Sequence, residues 1–346
     1  MTSKMAAEIA EQPGAVARTL QTLLPHRAEI ARLAHGRRHV LLVARGSSDN
    51  AAVYARYLIE THCGLSAALA APSVATHYAG DRDLSDTLVV SISQSGETYE
   101  IVATQAWARE RGGATIAIAN VAGSRLVRES DLALVTQAGP EVAVPATKSY
   151  LTQLTALAVV TDALMPDGES LSAALARVPD EVERLLDTET QPAVDLLAGA
   201  GEVLVTGRGI MLGTALETAL KFEETCLRPV RGLSYADLRH GPIAIVDRDV
   251  LAVLVAAGDG PLVTGMTDLA RELRERGASV LGIGGDADFR TACDTCLPGP
   301  DLPEAVATLG LIVPAQLAIE SLARTLGLDP DAPRGLSKVT RTDTER

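Results

Sequence analysis

The feature that most constrains this chain is a series of short apolar runs, each passing through a small polar turn into a helical segment. Residues 87–92, Thr-Leu-Val-Val-Ser-Ile, show no period-two alternation and read as a strand buried on both faces, and residues 40–44 read the same way. Further strand candidates fall at 65–71, 114–120 and 132–135, with helical segments at 51–61, 99–110 and 149–164. Strands that alternate with helices argue for a parallel sheet with helices on both faces. The pattern then returns, with strands at 203–206, 250–255 and 280–283 and helices at 214–226, 264–276 and 303–326. The expected fold class is therefore α/β, two tandem copies of one unit at 39–165 and 200–326, each a mostly parallel sheet flanked by helices. This is a duplicated domain and not a short-period solenoid. An N-terminal helical segment (1–38), a polar helical connector (166–199) and a tail (327–346) complete the division.

Bulk properties narrow the partners. Across 346 residues, 47% are hydrophobic and 22% charged, which suits a globular protein with a large core; aromatics are only 3%, so that core must be Ala, Val, Leu and Ile. A net charge of -13 argues against nucleic acid or an anionic membrane as partner, since both need a basic surface. No apolar run reaches the ~20 residues of a membrane span. The start, Met1-Thr2-Ser3-Lys4, leads into an acidic amphipathic segment and not a secretory signal, so a cytoplasmic location is expected. Cys293 and Cys296 form a C-x-x-C, but no second Cys or His pair completes a zinc site, so no metal and no cofactor is expected.

After the 87–92 run comes Ser93-Gln94-Ser95-Gly96-Glu97-Thr98, immediately before a helix. Hydroxyls and unpaired N–H groups at a helix start suit a phosphate dianion, although capping of an ordinary junction accounts for the same residues. Gly46-Ser47-Ser48, after the 40–44 strand, can add hydroxyls at the same sheet edge. The second copy reads Ala256-Ala257-Gly258-Asp259-Gly260 at the matching turn, where an Asp would repel a phosphate. One phosphate per chain would sit in the first copy.

Three groups could do chemistry. Glu217, Lys221 and Glu224 are spaced i, i+4, i+7 on one helix face, which is also the pattern of a solvated ion-pair ladder. His240, followed by Gly241-Pro242, stands where a helix must stop, exposed and able to exchange protons near neutrality. The tail has the composition of a frayed end, yet Pro333-Arg334-Gly335-Leu336 suggests docking.

In chain order these stretches resemble the sugar isomerase (SIS) family, and most closely the isomerase half of glutamine–fructose-6-phosphate aminotransferase and its stand-alone relatives. The resemblance rests on Glu8-Ile9-Ala10-Glu11-Gln12-Pro13, Gly46-Ser47-Ser48, Ser93 to Thr98, Val144-Pro145-Ala146-Thr147-Lys148, Glu217 to Glu224, Leu238 to Pro242 and Pro333 to Lys338. It implies two tandem SIS domains. It implies that Ser47, Ser48, Ser93, Gln94, Ser95 and Thr98 bind a sugar 6-phosphate, with Gly46, Val144, Ala146 and Ser337 completing the substrate-binding set. Glu224 would move a proton between C1 and C2, supported by Lys221 and Glu217. His240 would open the sugar ring, reaching the neighbouring subunit's site in a homodimer, and Lys338 would face the C2 carbonyl or amine.

Three positions depart from the family pattern. Ala146 stands where relatives often carry a hydroxyl, Arg231 where many carry Glu, and the sequence after Lys338 is altered. The sequence also shows no N-terminal cysteine and no glutaminase domain, so glutamine is not the expected nitrogen donor. The leading expectation is conversion of glucosamine 6-phosphate to fructose 6-phosphate and ammonia. The same base acting on N-acetylglucosamine 6-phosphate could instead expel the C3 hydroxyl, giving a lyase. A deglycase and a non-catalytic sugar-phosphate sensor are further alternatives, the last disfavoured because sensing needs no Glu224, His240 or Lys338.

Overall fold

The apolar runs become the inner strands of two five-stranded parallel sheets. The computed structural model describes residues 2–338. Its first sheet contains β1 (His39–Val43), β2 (Ser66–Leu69), β3 (Thr87–Ile92), β4 (Ala114–Ala119) and β5 (Leu132–Val135), in the order β2-β1-β3-β4-β5. The second contains β6 (Glu202–Gly207), β7 (Val230–Ser234), β8 (Val250–Ala256), β9 (Ser279–Gly284) and β10 (Thr295–Leu297), in the order β10-β9-β8-β6-β7. Read from the other edge, the second order repeats the first, as duplication requires. All pairings are parallel. On β3 all six side chains are buried; fully burying a Val, Leu or Ile contributes roughly 1.5–3 kcal/mol each, which explains the unbroken apolar run.

By packing, the chain forms two compact units, each holding one sheet. Of the described residues, one unit comprises 14–141 and 148–176 with Ser337 and Lys338; the other comprises 2–13, 142–147 and 177–336. In the first unit, the Lys148–Leu164 helix is buried from Lys148 through Asp162 and packs on the Ser47–His62 and Arg27–Ala34 helices. In the other, the Glu304–Thr325 helix packs on Leu212–Cys226. By length and composition Glu304–Thr325 could cross a membrane, but 89% of its apolar window is buried inside the protein. It is the core helix of its unit.

The tail docks in the second unit as far as Leu336. The Asp331 carboxylate accepts the N–H groups of Lys4 (2.9 Å) and Met5 (2.8 Å), and its carbonyl accepts the Val144 N–H at 2.9 Å. Ser3 caps the Lys4–Ala10 helix by accepting from the Ala6 N–H and donates to Glu320 at 2.6 Å. Glu8, buried on that helix, accepts the N–H groups of Val142 and Ala143. Two edge strands, β7 and β10, lie where the sequence shows no apolar run: β7 is largely half-buried or exposed, with Arg231 exposed on it. The helix expected from residue 51 begins at Ser47, so the Ser-Ser pair forms its opening turn.

Candidate active site

In the first sheet the strand order reverses between β1 and β3, the switch point at whose carboxyl edge open α/β sheets bind ligands. Val43 pairs with Ser91, so the turns that follow β1 and β3 leave the sheet side by side. Gly46, at φ +59° and ψ -134°, precedes the Ser47–His62 helix in a conformation closed to other residues, and its carbonyl accepts the N–H groups of Asp49 and Asn50. On the other turn the Ser93 hydroxyl accepts the Gly96 N–H at 3.2 Å and lies 3.3 Å from the Thr98 hydroxyl. Ser95 accepts the Glu97 N–H at 3.2 Å. Gly96 is at φ +65°, and a Cβ there would lie 2.1 Å from Ser124 Oγ, so only glycine fits. Thr98 occupies the N-cap of the Tyr99–Glu110 helix and makes no side-chain capping bond.

Two helix starts and five hydroxyls thus meet at one sheet edge. First-turn N–H groups lack acceptors within their helices, and the helix dipoles add positive potential. Two nearby carboxylates are engaged elsewhere: Glu97 accepts the Arg125 N–H at 2.9 Å, and Glu100 holds Arg45 through bonds of 3.1 and 3.4 Å. Burial pushes the Asp49 carboxyl up against the opposing pull of Arg45. Hydroxyls and helix-start N–H groups of this kind suit a compact anion.

The equivalent crevice of the second sheet is built differently. It is lined by Arg208, Asp259 and Glu304 among apolar groups. Asp259 accepts the Glu304 N–H at 2.7 Å, and Glu304 Oε2 lies 2.5 Å from where a Cβ would stand on Gly260. Burial, and then the Asp259 charge, push the Glu304 carboxyl up. The Arg208 guanidinium stacks 4.4 Å over the Tyr235 ring. Carboxylates fill this crevice and disfavour a phosphate.

The helix Leu212–Cys226 starts just after β6 and carries Glu217, Lys221 and Glu224. Lys221 Nζ lies 3.4 Å from Glu217 Oε1 and is also hydrogen bonded to Glu224. The side chains of Glu217 and Lys221 are 0% exposed and that of Glu224 is 24% exposed, so this is no surface ladder. Burying an ammonium with two carboxylates is costly unless geometry is good; here one ammonium is shared by two carboxylates, and Glu224 is the member that reaches the surface. His240 caps the C-terminus of the short Tyr235–Arg239 helix and is exposed; among the described residues its ring makes no hydrogen bond or ion pair, with Glu224 or otherwise.

Lys338 pairs with Glu141 at 2.7 Å, and the Glu141 side chain is completely buried. The same carboxylate accepts the Ser149 N–H at 3.0 Å and the Ser149 hydroxyl at 2.5 Å, at the start of the Lys148–Leu164 helix. Burial works to raise the Glu141 carboxyl; the Lys338 ammonium and the bonds from Lys338 and Ser149 outweigh it and hold it below the usual carboxylate range. Val144 and Ala146 are half-buried, Ser337 is exposed, and Lys148 is fully buried. Sequence reasoning missed Glu141 and Asp331. Both lie in loops, and their partners lie 197 residues away for Glu141 and 326 and 327 residues away for Asp331.

Comparison with known proteins places the fold. The SIS domain matches residues 33–163 and 196–300. The chain belongs to the SIS domain family. Among SIS relatives, glutamine–fructose-6-phosphate aminotransferase [isomerizing] of Aquifex aeolicus is 33% identical over 98% of this chain, and the chain spans 58% of that protein's length. The C-terminal domain of glucosamine-fructose-6-phosphate aminotransferase from Francisella tularensis superposes with a TM-score of 0.84 at 27% identity, covering 96% of this chain and 99% of that one. Glucosamine-6-phosphate deaminase from Thermotoga maritima superposes with a TM-score of 0.78 at 26% identity, covering 98% of this chain and all of the other, 100%.

Proposed function

We propose that this SIS protein is an amino-sugar 6-phosphate isomerase and deaminase that converts glucosamine 6-phosphate and water to fructose 6-phosphate and ammonia. The observation that carries the reading is the buried Glu217–Lys221–Glu224 cluster, which leaves one carboxylate part-exposed beside a buried cation. Moving a proton between adjacent sugar carbons needs such a carboxylate, fixed in position. The end-to-end match to a deaminase supports ammonia as the product.

In this reading Ser47, Ser48, Ser93, Gln94, Ser95 and Thr98 hold the phosphate, and Gly46 lets the backbone approach it. The partner subunit's His240 opens the ring, which makes a homodimer the working unit. Glu224 takes the C2 proton to give an enolamine and returns it to C1, leaving an imine at C2; water adds there and ammonia departs. Lys338, positioned by its ion pair with Glu141, donates a hydrogen bond toward the C2 nitrogen. Val144, Ala146 and Ser337 flank the sugar.

The test is incubation of the pure protein with glucosamine 6-phosphate and, in parallel, with N-acetylglucosamine 6-phosphate. Equimolar ammonia and fructose 6-phosphate from the first supports the reading. Loss of one water from the second, with no ammonia from the first, replaces it with the lyase, and intact, folded protein that turns over neither removes it.

A further inference from the structure

The C-x-x-C motif is unused by the chemistry above, and the fold brings its two sulfurs together. Cys293 ends the Ala287–Ala292 helix as its C-cap, while Cys296 lies on β10 directly opposite Gly282 of β9. A Cβ on Gly282 would stand 2.8 Å from Cys293 Sγ, 2.8 Å from Cys296 Sγ and 2.9 Å from the Phe289 ring. The missing side chain at Gly282 is therefore the space that both sulfurs fill. Cys293 is 8% exposed. Cys296 is more open, with its Sγ 3.4 Å from the Gly284 carbonyl oxygen.

We propose that Cys293 and Cys296 form a thiol–disulfide exchange site that takes a low-molecular-weight disulfide. Cys296 is the attacking sulfur. It is the more open of the two; the hydrogen bond from Cys293 lowers its thiol against the opposing effect of burial, with the Arg290 charge adding, whereas Cys293 is raised, first by the same bond and then by burial. Arg274, ion-paired to Asp294 at 2.9 Å, is the other cation facing the pair. The Cys296 thiolate attacks one sulfur of the small disulfide, forming a mixed disulfide and releasing one small thiolate, which takes up the Cys293 proton. Cys293 then attacks Cys296 Sγ, closing the protein disulfide and expelling the second small thiolate, which takes from solvent the proton that Cys296 released on becoming the nucleophile. Two protein thiols are oxidised and one small disulfide is reduced to two thiols. Cys63 and Cys226 stand outside this chemistry. Each lies near a single backbone carbonyl, of Thr161 and Ile319 respectively, and burial pushes each thiol up to about 12.

The test equilibrates the full chain in mixtures of oxidised and reduced glutathione, quenches in acid, alkylates under denaturing conditions and maps the peptides by mass spectrometry. Cys293 and Cys296 should lose alkylation together in one two-electron transition, with the intervening peptide lighter by two hydrogens and Cys63 and Cys226 alkylated throughout. Cys293→Ser should trap one glutathione on Cys296, and Cys296→Ser should leave Cys293 unmodified, each variant checked for native circular dichroism. Wild-type protein that keeps both thiols alkylatable in oxidised glutathione alone, or that stops at the mixed disulfide, overturns the proposal.

Discussion

Replacing Lys338 with methionine perturbs the buried pair that holds the tail lysine. The change keeps the length and apolar stem of the side chain and removes the ammonium 2.7 Å from Glu141. Because the Glu141 side chain is 0% exposed, its charge would face protein alone. Stranding a buried charge in this way costs roughly 3–5 kcal/mol. Two bonds from Ser149 remain, and Lys338 is itself 24% exposed, so water can partly replace it. Those two facts place the expected loss at about 2–3 kcal/mol. The pH dependence follows from the direction of the Glu141 shift. A carboxyl held below its unfolded value, about 4.3, contributes stability above that value and loses it as pH falls through the folded one. The gap between wild type and variant should be widest near neutrality and narrow below about pH 4. Urea unfolding at both pH values measures it, and Lys338→Met combined with Glu141→Gln should recover most of the neutral-pH loss. Equal midpoints for wild type and Lys338→Met at neutral pH would refute the reasoning.

Gly96→Ala forces a Cβ to within 2.1 Å of Ser124 Oγ at positive φ, costing about 1–3 kcal/mol in overpacking and about 1–2 kcal/mol in backbone strain; thermal unfolding and phosphate titration should show a lower Tm and weaker binding, and an unchanged Tm contradicts the tight turn. Lys221→Met leaves Glu217 buried without its cation and should lower stability by roughly 3–5 kcal/mol, read by urea unfolding at neutral pH. Glu304→Gln should raise stability at neutral pH: a carboxyl raised above its unfolded value contributes most stability below that value and loses it as pH rises through the folded one. The gain should vanish in acid, and a lower Tm for Glu304→Gln at pH 7 would show that its charge is needed.

How much was legible in the sequence depended on whether the cause was local. Inner strands such as β3 were readable because burial on both faces demands an unbroken apolar run. Edge strand β7, Val-Arg-Gly-Leu-Ser, carries no such demand, since only Leu233 of its five residues is buried. The helix start at Ser47 looked like loop because serine favours turns as much as first turns. The spacing of Glu217, Lys221 and Glu224 was visible, but spacing gives a shared face and not whether that face is wet; their burial is set by tertiary packing. Glu141 had no local signal at all, because its ammonium partner comes from the far end of the described chain.

The central claim is that Glu224 moves the proton between C1 and C2 of a phosphorylated amino sugar. Glu224→Gln keeps the shape and removes the base, so the direct measurement is turnover of glucosamine 6-phosphate by this variant beside calorimetric binding of the same sugar. The account predicts unchanged affinity with turnover lower by about two to four orders of magnitude. Wild-type turnover in Glu224→Gln would contradict it, placing the proton transfer on another group.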